Sequence, residues 1–313
     1  MSKNTPLKLK LFFWYKDPSV FFKDVFGVEP YTYQRKILRE FVKLNRIMIS
    51  AASDTGKSQL IAAIGLWSAA ILPNFLDKKY KKNDVVIIGG SREQANRVYS
   101  YMRDAMLQNS TLQELIEGEP LMSKVVFKNH RSQIQTFARS LTSIQGIHAD
   151  TVLVDEAAFS DLDFYIQDTL RIVSPYPHSR IILSSTPHEY DCLFVRMWED
   201  TKKYPDYKET KNPLDWKRYS WTAYDCPRTR SKIEEAKKLP EDVFQRYYMG
   251  KPYDVGDTLI PIHNIRMQSD GIKRFDYDPE KKSGIIIFGI AVSYTHLRAH
   301  ETRHDLVCRL LLE

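Results

Sequence analysis

Apolar positions fall in short runs separated by polar helical patterns. Residues 46–50 (RIMIS), 85–90 (VVIIGG), 151–155 (TVLVD) and 180–185 (RIILSS) are continuous apolar stretches of strand length. Runs of this kind read as strands buried on both faces of a parallel sheet. Helical patterns lie between them: 33–44, Gly56 to about residue 71, Arg92 to Leu107, and a stretch near 192–202. Residues 124–137 alternate like two strands turning at Asn129-His130. The segment 231–249 reads as two short helices parted by Pro240, the first opened by a Ser231–Glu234 capping box. Residues 12–44 form an aromatic-rich helical N-terminal segment, and 78–82 (KKYKK) a basic, solvated loop. Residues 254–283 suggest a polar linker, and 285–290 (IIIFGI) open a new buried strand. Strands alternating with helices predict an α/β fold with a mostly parallel sheet flanked by helices.

The 313 residues suffice for a sizeable core. A net charge of +7 fits a polyanionic partner such as nucleic acid, and equally a merely basic surface. Cys192, Cys226 and Cys308 have no paired spacing, which suggests neither a disulfide framework nor a zinc site and points to a reducing compartment. The N-terminus lacks a signal-peptide core, and no apolar stretch approaches the ~20 residues that span a membrane.

Residues 292–313 (VSYTHLRAHETRHDLVCRLLLE) resemble a translated transposase sequencing adapter and are set aside from fold reasoning. His296, His300 and His304 recur every four residues there and would imitate a metal site on a helix. The charges of the tail cancel, so the +7 stands without it. Adapter bases would also fill the end of codon 291, leaving only its leading G native; Asp codons begin with the same base.

The chemistry sits at two strand ends. The strand 46–50 runs into residues 51–58 (AASDTGKS), and a helix leaves them, which is the setting of a phosphate loop. Backbone N–H groups of Ala52, Ser53, Asp54, Thr55 and Gly56, with the helix N-terminus, would cradle phosphates. Lys57 would neutralise the β and γ oxygens of ATP, and Ser58 would ligate Mg²⁺. Ala51 stands where the usual pattern has its first glycine. The strand 151–155 ends in Asp155 and Glu156. In a parallel-sheet ATPase such an Asp holds Mg²⁺ and the Glu orients the attacking water. Alone, the pair fits an ordinary solvated strand end equally well; joined to the GKS loop it predicts ATP hydrolysis.

Further segments follow in a fixed order: YTYQ (31–34), GGSREQA (89–95), SIQGIHADTVLVDEAAF (143–159), ILSSTPHEY (182–190) and FQRYYMGKPYDVGD (244–257). The set, from about residue 17 to 290, resembles the large terminase subunit of tailed double-stranded DNA viruses. The resemblance implies a P-loop NTPase of the RecA/ASCE-like kind that couples ATP hydrolysis to movement of double-stranded DNA into a procapsid. It implies that Gln34 contacts adenine, Lys57 and Ser58 bind phosphate and Mg²⁺, Asp155 ligates Mg²⁺, and Glu156 is catalytic. It implies that Ser184, Ser185 and Thr186 form a coupling motif. Its partners would be double-stranded DNA, the viral portal and the small terminase subunit, in a homo-oligomeric ring in the host cytoplasm, without a membrane. Two departures stand out. The loop carries Ser53 and Asp54 where many members have an arginine, so that arginine comes from elsewhere: Arg92, Arg139 or a neighbouring subunit. Gln145-Gly146 replaces the usual Arg-Gly.

The expected organisation is an N-terminal segment (1–30), an ATPase domain (31–253), a linker (254–283), the first strand of an RNase H-like nuclease (284–291), and the adapter (292–313). Members of the family continue into that nuclease, whose first carboxylate would stand at codon 291. A helicase-like or remodelling DNA-dependent ATPase is the alternative, and would need a second RecA-like domain.

Overall fold

Strands β1 (Arg46–Ala51), β2 (Val85–Gly89), β3 (Lys124–Val126), β4 (Gln133–Ala138), β5 (Thr151–Asp155), β6 (Arg180–Ser185) and β7 (Trp216–Trp221) build one sheet in the computed structural model. Their order is β3-β4-β2-β5-β6-β1-β7. Every neighbouring pair is parallel except β3 and β4. The structure describes residues 6–77, 79, 82–128, 130–138, 146–159, 169–190 and 192–252. The expected linker 254–283, the strand 285–290 and the tail 292–313 lie outside the described residues.

The four apolar runs all become strands, and β2, β5 and β6 are buried along their whole length. That burial explains their unbroken hydrophobicity: helices or loops cover both faces. Three helices precede the sheet in sequence: α1 (Leu7–Lys16), α2 (Pro18–Phe26) and α3 (Thr32–Glu40). The helix leaving the loop, α4 (Lys57–Ala70), is apolar on all sides because it lies between the sheet and those N-terminal helices. Trp67 of α4 donates its indole N–H to the Trp14 carbonyl at 2.7 Å and meets the Phe41 ring edge-to-face at 5.1 Å. Helix α5 (Arg92–Gln108) opens with a Ser91–Gln94 capping box and packs beside α4.

Three features depart from the expectations. Helix α6 (Ser110–Leu115) and the edge strand β7 were not read from the sequence. Strand β7 lacks clean alternation; its pairing with β1 from Trp216 to Trp221 makes it a strand. Segment 231–249 holds the two expected short helices, Ile233–Ala236 and Glu241–Tyr247, on either side of Pro240, and a further short helix, Pro227–Arg230, precedes them. The Ser231 capping box does not form. Ser231 keeps helical angles (φ −64, ψ −22) at the end of the preceding turn, whereas a capping residue must be extended. Glu234 pairs with Lys237 instead, at 2.7 Å.

Candidate active site

The ends of β1, β5 and β6 lie side by side at one edge of the sheet. Cross-strand register puts Asp155 beside Ser184, and Ser184 beside Ile49. Ligands of parallel sheets bind outside such carboxyl ends. Here the ends surround a cleft of ≈ 470 Å³ lined by Ser53, Lys57, Ser58, Asp155, Glu156 and Thr186, among others.

The loop 51–58 is folded by its own sequence. Gly56 adopts φ 82°, the left-handed conformation that glycine reaches without strain, and a Cβ there would lie 2.7 Å from Gln34 Nε2. Asp54 also has positive φ (57°). Thr55 donates to the Ala52 carbonyl at 2.7 Å and accepts from the Trp221 indole at 2.8 Å, which braces the loop from inside. Tyr33 stacks on Trp221 at 4.5 Å and donates to the Thr55 carbonyl at 2.7 Å.

The Lys57 ammonium is buried. It donates to the carbonyls of Ala51 (3.1 Å) and Ala52 (2.7 Å) and to Thr186 Oγ1 (3.0 Å). All three of its N–H donors are thereby used. Burial lowers its pKa, and the charges of Glu156, Asp155 and Asp54 oppose that shift. Thr186 also meets Ser53 Oγ at 3.3 Å.

Asp155 accepts from Ser58 Oγ at 3.0 Å through Oδ2, while its buried Oδ1 has no hydrogen-bond partner among the described residues. Burial first, then the neighbouring Glu156 charge, push its pKa up to about 6. A buried, unsatisfied carboxylate oxygen beside a serine hydroxyl is a hard oxygen donor set, and it fits a cation such as Mg²⁺. Glu156 follows with φ 53°, a left-handed geometry that costs a glutamate on the order of 1–2 kcal/mol. Its carboxylate lies 3.3 Å from Ser185 Oγ, whose single proton is shared between that carboxylate and the nearer Thr186 carbonyl at 2.8 Å.

The structure therefore brings Ser53, Asp54, Gly56, Lys57, Ser58, Asp155, Glu156 and Thr186 to one cleft, with Ser185 touching Glu156. Ala52 and Thr55 are buried in the loop's underside, and Ser184 is buried, its hydroxyl without a hydrogen-bond partner among the described residues. Gln34 lies beneath the loop: its amide donates to the Gly56 carbonyl at 3.2 Å and accepts from Tyr31 N at 2.9 Å. Of the arginines considered, Arg139 lies outside the described residues. Arg92 is exposed at the start of α5 and is not part of the cleft lining. Three arginines missed in the sequence do line it: Arg97, Arg228 and Arg246. Arg97 falls one to two turns after the capped start of α5; the other two come from a segment whose approach to the loop has no local sequence signal.

No curated protein sequence matches the chain. Among solved structures, the large terminase ATPase domain of Thermus phage P74-26 is similar at 16% identity and a TM-score of 0.57, over 75% of this chain and 98% of that one. The HK97 bacteriophage large terminase gives 16% identity and 0.58, over 72% of this chain and 51% of that one. The large terminase of a thermophilic bacteriophage, in complex with ADP, gives 13% identity and 0.53, over 71% and 53%. The chain spans about half the length of these last two. At such identities the likeness shows a shared fold, the mostly parallel ATPase-domain sheet described above. The family model for the terminase large subunit, T4likevirus-type, N-terminal, matches residues 48–267, and this extent, well over half of the chain, makes the protein a member of the large terminase subunit family.

Proposed function

We propose that the protein is the ATP-hydrolysing subunit of a viral DNA-packaging motor, and that residues 31–253 carry the turnover. The observation that supports this reading best is the meeting of Lys57, the Ser58–Asp155 pair and Glu156 in one cleft. Lys57 would leave the Ala51 and Ala52 carbonyls for the β and γ phosphate oxygens of ATP. The backbone of 52–58 would wrap the phosphates, and Gln34 would turn toward the adenine. Ser58 and Asp155 would hold Mg²⁺, which supplies charge neutralisation on the phosphate oxygens. Glu156 would polarise the attacking water, held in place by Ser185 until the phosphates arrive. Thr186 touches Lys57 and Ser185 touches Glu156, which supports a coupling role in which the segment Ser184–Thr186 would sense both groups and pass the change outward.

Within the same reading, the driven substrate is double-stranded DNA, and the assembled state is a homo-oligomeric ring on the viral portal with the small terminase subunit, in the host cytoplasm. No described helix is long and apolar enough to cross a membrane.

Phosphate release measured with and without double-stranded DNA tests the proposal. Glu156→Gln should lower kcat by ~10²–10⁴-fold while nucleotide binding persists. Turnover that survives this change would defeat the assigned mechanism.

A further inference from the structure

The cleft presents a charge problem. Its wall holds Asp54, Asp155 and Glu156 against one lysine, Lys57, which by itself leaves it anionic. The Mg²⁺ of the reading above would cancel that excess and no more, so net attraction for a nucleoside triphosphate calls for further cations. Arg97, Arg228 and Arg246 supply them.

These three differ in what holds them. Arg228 is exposed and donates to the Asp54 carbonyl on the outer bend of the loop. Arg97 is exposed on α5. Arg246 is half-buried, with its guanidinium over the Tyr247 ring at 4.7 Å, in the helix Glu241–Tyr247 that is bolted to the loop. Ser53 N donates to the Tyr247 carbonyl at 2.8 Å, and Ala52 N donates to Trp221 O at 3.2 Å. Ala223 N donates to Tyr248 O at 2.8 Å. Gly250, at φ 64°, packs so closely that a Cβ would lie 3.1 Å from Ala52 N. This backbone clasp fixes Arg246 relative to residues 52 and 53. Arg246 also faces the other end of the site. Burial first, then the Arg246 charge, hold the His188 imidazole below its ordinary pKa, with Glu189 opposing. His188 is two residues past Thr186 and contacts Phe159 of the cleft wall at 4.5 Å.

We infer that Arg246 is a phosphate-binding catalytic residue contributed in cis by the C-terminal clasp, directed at the terminal phosphate between Ser53, Glu156 and Thr186. It takes the place of the cation that Ser53 and Asp54 do not provide. A planar guanidinium there would spread its donors over the terminal phosphoryl oxygens as negative charge builds on them. Arg228, by contrast, serves the outer bend of the loop. This inference rests on the ATPase reading above.

The test compares wild type, Arg246→Ala and Arg246→Lys in the full chain with Mg²⁺. Binding of fluorescent ADP and of a non-hydrolysable ATP analogue is measured by anisotropy, alongside kcat. For Arg246→Ala we expect kcat to fall ~10²–10³-fold. The preference for triphosphate over diphosphate should collapse toward one, with ADP affinity within about twofold of wild type. Arg246→Lys should restore part of the preference and little of kcat, since a point charge lacks the fork. An unchanged triphosphate preference overturns the inference, as does its loss in Arg97→Ala or Arg228→Ala instead. If Arg246→Ala misfolds, the lysine variant decides: wild-type kcat there also overturns it. Wild type that binds neither nucleotide brings down the ATPase reading itself, a result distinct from all of these.

Discussion

Asp155 should weaken the protein when no cation accompanies it. Its carboxylate is buried, one oxygen has no partner among the described residues, and its pKa is pushed up to about 6 from the ordinary 3.8. For an acid whose folded pKa is raised, ionisation opposes folding. The cost is absent below 3.8, grows as pH rises between 3.8 and about 6, and is full above that. At 1.36 kcal/mol for each tenfold, the full cost is about 3 kcal/mol. Asp155→Asn keeps the size and an acceptor for Ser58 Oγ, and it removes the charge. With divalent cations chelated, urea unfolding at pH 8 should show the variant more stable by about 1–3 kcal/mol. The pH dependence is the stronger test, because any fixed penalty for the new amide cancels from it. Between pH 5 and pH 8 the advantage of the variant should grow by about 1.4 kcal/mol, mostly below pH 6.5. Adding Mg²⁺ should stabilise wild type and leave the variant almost unmoved. An advantage that is flat with pH, or that shrinks as pH rises, would refute the idea that Asp155 is a desolvated carboxylate waiting for a cation.

Lys57→Ala removes a charged donor from the triphosphate. Affinity for an ATP analogue should fall about 10–150-fold in titration calorimetry, and an unchanged affinity would remove Lys57 from the site. Ser185→Ala frees the Glu156 carboxylate. Steady-state kinetics should show kcat lowered about 2–10-fold with KM for ATP little altered; an effect confined to KM would contradict a positioning role. Trp14→Ala empties a fully buried position against Phe21 (5.4 Å) and takes away the indole hydrogen bond to Asp24. It should destabilise the whole domain by about 3–5 kcal/mol in a single urea transition, whereas a separate early transition would mean that the N-terminal helices fold apart from the sheet.

The parts of the molecule legible in the sequence are those whose signal is local. The run TVLVD carries the signal of a buried strand, and GKS between a strand and an apolar helix, with VDE further along, carries the expectation of a phosphate loop. The parts that were not legible are set by approach through space. Strand β7 (WKRYSW) has no period, and it exists because β1 offers it an edge and Arg218 ties it to the carbonyls of Met197 and Trp198. The clasp around the loop depends on backbone donors of Ala52 and Ser53 finding carbonyls of Trp221 and Tyr247, groups that every residue possesses. No residue pattern can announce such bonds. For the same reason nothing in the sequence singles out Arg97, Arg228 or Arg246, whereas Arg92, one of the arginines expected there, is not among the residues lining the cleft.

The hydroxyl run at the end of β6 shows how side-chain type answers a need that position alone does not reveal. The two charged groups beside it have opposite sign: the Lys57 ammonium against Thr186, and the Glu156 carboxylate against Ser185. A hydroxyl accepts from an ammonium and donates to a carboxylate, so one residue type serves both. An acid in place of Thr186 would hold Lys57 firmly and add repulsion to Asp155 and Glu156. A base in place of Ser185 would pin Glu156 and repel Lys57. Each of those ion pairs, once buried, would be hard to exchange for a phosphate or a water molecule. A single hydrogen bond between a hydroxyl and a charged group is worth about 1.5–3 kcal/mol net, less than the roughly 3–5 kcal/mol lost on breaking a buried ion pair, so an arriving polyanion can displace it. The sequence SST therefore holds both charged groups in place without committing either, which is what a site that must change its contacts in every cycle requires.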